Sequence, residues 1–347
     1  MTSLPRIGIT LGDPAGVGGE VVVRAISDNR AKKSFVPIVI GDRSVLEDAF
    51  RICALNSDIQ LIDDPSQAVA CWDGIYCISP ELLHKGDWSY GQVQKKCGEV
   101  SYRYIEKSIE LALAGSIDAV VTGPVSKEAI QLSGHLFSGH TEVFAEHTGT
   151  QDYAMLLMSP ALRVIHVTTH CSMLEACSRI TKERVGTVIG LAHTFMHRLG
   201  VDRPSIGVAG FNPHSSENGL FGREEALEIS PAIEEAKDLG LLIDGPISPD
   251  TIFVKALAGQ YDIVIAMYHD QGHIPVKMSG FQTDAVTGRM TTVGGVNCTV
   301  GLPIIRTSVD HGTAFDIAGR GIADAQSMID ALQLALRLTE NRDRTGK

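Results

Sequence analysis

Three histidines stand directly after apolar runs: His170 closes Val167-Thr168-Thr169-His170, His214 closes Phe211-Asn212-Pro213-His214, and His269 lies in Met267-Tyr268-His269-Asp270. Neutral imidazole is a common ligand of zinc-like cations. Three of them would leave a divalent cation its full charge, making it a stronger Lewis acid than a carboxylate site would. Such a cation could hold an alkoxide and then an enolate. Separations of 44 and 55 residues are not a local metal motif. The residues alone therefore leave open a second reading, three separate hydrogen-bonded histidines.

Other side chains invite chemistry too. His193 and His197 are four apart, on one face of a predicted helix, but Thr194 stands where a His-Glu-x-x-His protease has its Glu. A solvated or core pair is the plain reading there. Arg306 and Lys277 suit a phosphate or carboxylate, the first through its planar fork and the second as a point charge; as isolated residues they could equally be solvated surface charges. Gly12-Asp13-Pro14-Ala15-Gly16-Val17-Gly18-Gly19 matches neither common nucleotide fingerprint, so a nicotinamide site must be of another type. Gly301 to Ala323 sets Arg306, Asp310, His311, Thr313 and Asp316 among glycines and small residues. Such a loop can approach adenosine closely, or can be capped by its own side chains.

These residues need elements to hold them. Apolar runs rich in Val and Ile predict strands at Arg6 to Thr10, Val36 to Gly41, Ala119 to Gly123, Leu162 to Thr168, Ile206 to Phe211 and Asp262 to His269. Helical periodicity covers Val100 to Ala114, Thr181 to Arg198, Arg223 to Leu239 and Ile322 to Leu338. The alternation predicts an α/β fold with largely parallel strands. In such folds ligands gather beyond strand C-termini, which is where Thr122 to Lys127, Thr168 to His170, Asn212 to His214 and His269 to Gly272 fall.

With 347 residues, 44% hydrophobic and 20% charged, the chain can bury a core without disulfides. The balance of 41 acids against 30 bases, net −11 with no dense basic block, argues against nucleic acid. No apolar run reaches the length of a membrane span. Seven cysteines without a Cys-x-x-Cys pair read as reduced thiols. A cytoplasmic protein is expected.

Taken in order, the segments Gly12-Asp13-Pro14-Ala15-Gly16, Thr122-Gly123-Pro124-Val125-Ser126-Lys127, Gly139-His140-Thr141-Glu142, Asn212-Pro213-His214, Pro249-Asp250-Thr251, Tyr268-His269-Asp270-Gln271-Gly272 and Arg306-Thr307-Ser308-Val309-Asp310-His311-Gly312-Thr313 resemble the 4-hydroxythreonine-4-phosphate dehydrogenase (PdxA) family over nearly the whole chain. The resemblance implies one unit over 1–347, built as two α/β/α subdomains of the isocitrate/isopropylmalate dehydrogenase type with the active-site cleft between them. Their approximate bounds are 1–135 plus 305–347, and 136–304, the latter carrying dimerisation and the metal ligands. It implies His170, His214 and His269 as metal ligands, for zinc first and cobalt, manganese or magnesium as alternatives. Substrate contacts fall on His140, Thr141, Lys277, Asn297 and Arg306. A homodimer sharing its active site across the interface is implied as well.

The stretch His311 to Ala323 is also similar to the adenosine loop of isopropylmalate and isocitrate dehydrogenases, which implies NAD, or NADP, held by His311, Gly312, Thr313 and Asp316. The implied reaction oxidises a secondary alcohol and releases carbon dioxide. Asp250 and Asp270 are the candidates for general base, or else orient a ligand histidine.

Two departures bear on the substrate. Ser215-Ser216-Glu217 stands where the family usually has Ala-Gly-Glu, and Gln282 to Gly295 forms an insertion. The form Gly272-His273-Ile274-Pro275-Val276-Lys277 resembles the branch acting on D-threonate or D-erythronate 4-phosphate. The expected substrate is therefore a four-carbon hydroxy acid 4-phosphate. The alternatives are 4-hydroxy-L-threonine 4-phosphate of vitamin B6 biosynthesis, an aromatic cis-dihydrodiol acid, and a non-enzymatic metal- or nucleotide-binding protein.

Overall fold

The computed structural model describes residues 4–28, 34–70, 74–136, 139–283 and 290–342. The chain divides into two compact units, Met1–Thr150 with Leu302–Glu340, and Gln151–Gly301 with Asn341–Lys347. Both are α/β, as the alternation of apolar runs and amphipathic stretches predicts.

The first unit is built on β1 (Arg6–Thr10), β2 (Val36–Ile40), β3 (Ile59–Leu61), β4 (Ile75–Ile78), β5 (Ala119–Thr122) and β14 (Arg306–Val309), side by side in the order β3-β4-β2-β1-β5-β14. Every neighbouring pair is parallel. Parallel strands need crossovers; helical ones are supplied by α1 (Gly18–Ser27), α2 (Arg43–Ile52) and α3 (Lys95–Leu113), while α4 (Lys127–Ser133) and α5 (His140–His147) follow β5 and α11 (Gln326–Glu340) packs on β14 and β5. The strands are near-continuous apolar runs because both faces are covered: Ile7, Ile9, Ile38, Val39, Val120 and Val121 are wholly buried. The unit runs to Thr150, past the expected bound at 135, because α5 packs against α3.

In the second unit β6 (Ala154–Met158), β7 (Arg163–His166), β8 (Ile206–Ala209), β9 (Ile243–Ile247), β10 (Ile263–Ala266) and β13 (Val296–Val300) lie in the order β13-β6-β7-β10-β8-β9. Here the expected parallel pattern holds only from β7 to β9; β6 is antiparallel to β7 and to β13. The reason is local. Ser159 N–H donates to Leu162 O at 2.8 Å, closing a tight turn that can only return the chain antiparallel.

Helices α6 (Met173–Arg179), α7 (Lys182–Arg198), α8 (Ser230–Asp238), α9 (Ile252–Leu257) and α10 (His269–Gly280) complete this unit. Side chains alternate across a strand, so Val164, Val264, Ala266 and Ala209 bury one face with Ile252, Phe253 and Val276 of α9 and α10. Long α7 packs on β7, β8, β10 and β13 through Val185, Val188, Ile189 and Ala192. The helix expected over Arg223 to Leu239 is two pieces, a π-type turn at Glu225–Ile229 running into α8.

Strands β11 (Phe281–Thr283) and β12 (Met290–Val293) pair antiparallel where the insertion is expected, and residues 284–289 lie outside the described residues. Among the described residues no helix is long and apolar enough to cross a membrane.

Candidate active site

The three candidate metal histidines follow three neighbouring parallel strands. His170 stands after β7, His269 after β10 and His214 after β8, and β10 lies between the other two. Hydrogen bonds beyond the strand ends hold this rim together. Val167 N–H donates to Ala266 O at 2.8 Å, and Thr168 Oγ1 donates to Met267 O at 2.8 Å. From α7, Arg184 donates to Val167 O at 3.0 Å and to Tyr153 O at 2.9 Å. Gln271 joins β10 to β8: its Oε1 accepts from Met267 N–H at 2.6 Å and its Nε2 donates to Gly210 O at 2.8 Å.

On this rim the His170 and His269 rings lie 6.1 Å apart, centroid to centroid. Two imidazoles sharing one cation, with metal–nitrogen bonds of about 2.1 Å, stand roughly 4.5–6 Å apart by the same measure, from square-planar to wide tetrahedral angles. Asp270 Oδ1 lies 2.6 Å from His269 Nδ1. That contact puts the ring proton on Nδ1 and leaves the Nε2 lone pair outward, the usual arrangement of a ligand histidine. The donor chemistry therefore fits a divalent cation. His214 is not drawn into the same cluster: among the described residues no three His, Cys, Asp or Glu side chains converge as a metal-holding group.

The loop carrying His214 is strained. His214, Ser215, Ser216, Glu217 and Asn218 have φ of 52°, 51°, 64°, 44° and 57°. Left-handed backbone costs a non-glycine residue about 1–2 kcal/mol. Buried Glu225, in the π-type turn, holds the entrance to this loop by accepting from Phe211 N–H at 2.8 Å, Asn212 N–H at 2.6 Å and Asn212 Nδ2 at 2.9 Å. Strain so anchored makes this loop a candidate functional segment.

Behind His269 lie two histidines that sequence reasoning passed over. His273 stacks on His269 at 3.6 Å, and its Nδ1 is 3.1 Å from Nε2 of His166. Burial, with smaller contributions from the neighbouring rings, pushes His166 down to about 4 and lowers His273 as well. Both are neutral, hydrogen-bonded supports. Gly272 is required beside them, since a Cβ there would overlap the His166 ring. In the sequence only the i, i+4 spacing of His273 from His269 and the place of His166 within an apolar run hinted at them.

Of the remaining candidates in this unit, Asp250 is exposed and accepts from Ser248 Oγ at 2.6 Å. Lys277 Nζ lies 5.5 Å from the centre of the Phe281 ring. Asn297 sits on β13 opposite Leu157, and its Oδ1 is buried without a hydrogen-bond partner among the described residues.

In the first unit, Arg306 is 2% exposed at the start of β14. It donates to Thr122 Oγ1 at 2.8 Å and lies 5.6 Å from the Phe144 ring. His140 and buried Thr141 open α5. Burial first, then the cations Arg306 and Lys127, hold His140 well below the usual histidine range. This is a neutral imidazole beside a fixed positive charge, a pairing suited to an anionic group. Asp13 locks the neighbouring loops, its N–H donating to Pro124 O at 2.8 Å and its Oδ1 accepting from Ala15 N–H at 2.8 Å.

The glycine-rich loop after β14 is seated on the first strand-to-helix turn. Val17 N–H donates to Thr313 O at 2.9 Å, and a Cβ on Gly16 would meet Thr313 at 2.9 Å. Buried Glu20 and Arg24 of α1 engage Gly319 N–H and Gly321 O. His311 Nδ1 lies 2.9 Å from Gly312 O, while Gly312 and Asp316 are exposed at the turn.

A family model described as pyridoxal phosphate biosynthetic protein PdxA matches residues 33–335. The chain is 44% identical over 340 residues to a D-threonate 4-phosphate dehydrogenase of Cupriavidus necator, covering 98% of each. A crystal structure of a 4-hydroxythreonine-4-phosphate dehydrogenase from Burkholderia phymatum is similar with a TM-score of 0.80 at 44% identity, over 97% of this chain and 99% of that one. A terephthalate 1,2-cis-dihydrodiol dehydrogenase from Burkholderia xenovorans is similar at 0.66 and 28% identity, over 96% and 98%. With the matched region spanning most of its length and relatives above two-fifths identical from end to end, this chain belongs to the PdxA family.

Proposed function

We propose that this chain is a metal- and NAD-dependent dehydrogenase that oxidises and decarboxylates a four-carbon hydroxy acid 4-phosphate, of the D-threonate or D-erythronate type. The observation that carries the reading is the position of His170, His269 and His214 beyond three adjacent parallel strands. The name of the Cupriavidus necator relative supports the substrate class. The name of the Burkholderia phymatum structure favours 4-hydroxy-L-threonine 4-phosphate as the second reading.

A divalent cation held by His170, His214 and His269 would supply Lewis acidity to the substrate hydroxyl and to the enolate left by decarboxylation. Zinc suits three imidazoles best. Asp270 fixes the His269 tautomer by holding the proton on Nδ1. That engagement makes Asp270 an orienting residue and leaves Asp250 as the candidate base for the hydroxyl proton. Arg306, neutral His140, Thr141, Lys277 and Asn297 bind and orient the anionic ends of the substrate. The loop of His311, Gly312, Thr313 and Asp316 would hold NAD, with NADP as the alternative, to accept the hydride, and the subdomains are of the isocitrate/isopropylmalate dehydrogenase type.

A homodimer belongs to the same reading. Exposed apolar side chains flank each candidate ligand: Leu174 (85% exposed) follows His170, Leu220 (71%) and Phe221 follow His214, and Ile274 and Met278 (79%) follow His269. Apolar surface at each of these three places supports cover by a second copy of the chain. The six described cysteines are free, which suits a reducing cytoplasm.

The test is NADH formation by metal-loaded protein offered 4-hydroxy-L-threonine 4-phosphate, D-threonate 4-phosphate and D-erythronate 4-phosphate, with His214→Ala as control. Turnover of a threonate or erythronate phosphate, lost in the variant and on chelation, is expected. Silence with all three would sink the reading and bring the dihydrodiol acids forward.

A further inference from the structure

On α7 the Nε2 atoms of His193 and His197 lie 3.2 Å apart, with ring centroids separated by 4.4 Å and the ring planes inclined at 65°. A cation about 2.0–2.1 Å from two nitrogens, at tetrahedral or square-planar angles, spaces them about 2.9–3.4 Å apart. We propose that His193 and His197 form a second metal site, a two-imidazole chelate for a borderline-soft divalent cation of the copper(II), nickel(II) or zinc(II) kind, with water in the remaining positions.

Several features of the helix favour a cation there. Both rings are partly buried and therefore lose little freedom on binding. Burial and the neighbouring ring lower His193, so its lone pair is free of a proton near neutrality. His197 lies in the last turn of α7, where the exposed carbonyls favour positive charge. One turn and two turns back, Gly190 and Gly186 leave open space along the same side of the helix. Arg198, the adjacent cation, is turned about 100° away round the helix axis.

The site is distinct from the strand-end histidines. Arg184, at the other end of α7, is the residue that touches the rim near His170, and His197 lies thirteen positions further on, about 20 Å along the helix axis. Imidazole pairs rank copper(II) above nickel(II) and zinc(II), so copper is the sensitive probe.

Full-length protein carrying His170→Ala and His269→Ala, which silences the other histidine pair, would be titrated with the copper(II) complex of iminodiacetate, a probe with two adjacent positions open to nitrogen. One complex per chain should bind, with an electron paramagnetic resonance spectrum of two imidazole nitrogens. His193→Gln and His197→Gln, both of which keep good helix propensity, should each weaken binding about a hundredfold, the loss expected when a chelate becomes a single ligand. Binding that neither substitution alters, or a spectrum of one nitrogen in the parent, would overturn the site. Those results would leave the two rings joined only by their mutual hydrogen bond.

Discussion

Glu20 on α1 accepts a hydrogen bond from the backbone N–H of Gly319 at 2.7 Å, tying the first helix to a loop 299 residues away in sequence. The carboxylate is 1% exposed, and its second oxygen has no hydrogen-bond partner among the described residues. Gly319 and Gly321 have φ of +78° and +66°, and side chains there would run into Tyr90 and the carbonyl of Ile52. The loop thus has one seat, and Glu20 marks it. If that loop holds the cofactor, Glu20→Ala should raise KM for NAD about tenfold, the equivalent of one charge-assisted hydrogen bond. The turnover number at saturating NAD should change little. Steady-state kinetics at varied NAD checks this; an equal fall in both constants would mean general damage instead.

Gln271 bonds to both β10 and β8, and it is buried. Gln271→Leu should destabilise the second unit by about 1–3 kcal/mol, the cost of leaving buried backbone groups unsatisfied. It should also weaken metal binding, on the order of 10–100-fold, as loss of a supporting residue does. Competition with a chromogenic chelator, read beside urea unfolding, separates the two effects.

Ser216 has a φ of +64° in the strained loop after His214, and its hydroxyl accepts only a long bond, 3.3 Å, from Gly219 N–H. Glycine takes this backbone without steric cost. Ser216→Gly should stabilise the protein by about 0.5–1 kcal/mol, the left-handed strain relieved less the extra entropy of the unfolded chain. Thermal unfolding checks the sign.

Asp13 is wholly buried, and burial outweighs its bonds from Ala15 and Ser126 N–H to push its carboxyl up to about 6 from 3.8. A raised carboxyl pKa means that the folded state holds the proton more tightly than the unfolded state. The stabilisation this gives is full below pH 3.8 and lost as pH rises through about 6. The change is on the order of 3 kcal/mol. Asp13→Asn cannot titrate, so its stability relative to the parent should rise between pH 4 and pH 7. Urea unfolding at both ends of that window measures it, and parallel pH profiles would count against a buried, protonatable Asp13.

Much of the framework was legible in the residues themselves. β1, β2, β5, β7, β8 and β10 all lie within the apolar runs that predict them, because strands covered on both faces must be apolar almost throughout. Helices α7 and α11 follow their 3.6-residue periodicity, and α11 starts later than the pattern alone implies, at Gln326, where Asp324 accepts its N–H at 3.0 Å. The three histidines stood out for the same reason: a polar residue at the end of a buried strand has nowhere to go but the rim.

Tertiary structure decided the rest, because it depends on which strands become neighbours. Nothing local in the sequence says that β10 inserts between β7 and β8, yet that order is what brings the His170 and His269 rings to 6.1 Å. The antiparallel β6 was hidden because a short apolar run carries no direction of its own, and the turn at Ser159 sets it. His166, His273 and Glu20 gave little signal because their roles are made by contacts remote in the chain. His273 meets His166 across 107 positions, and Glu20 meets Gly319 across 299. Composition and periodicity fix what each segment can become, while a hydrogen bond between distant segments exists only after the whole chain has folded around it.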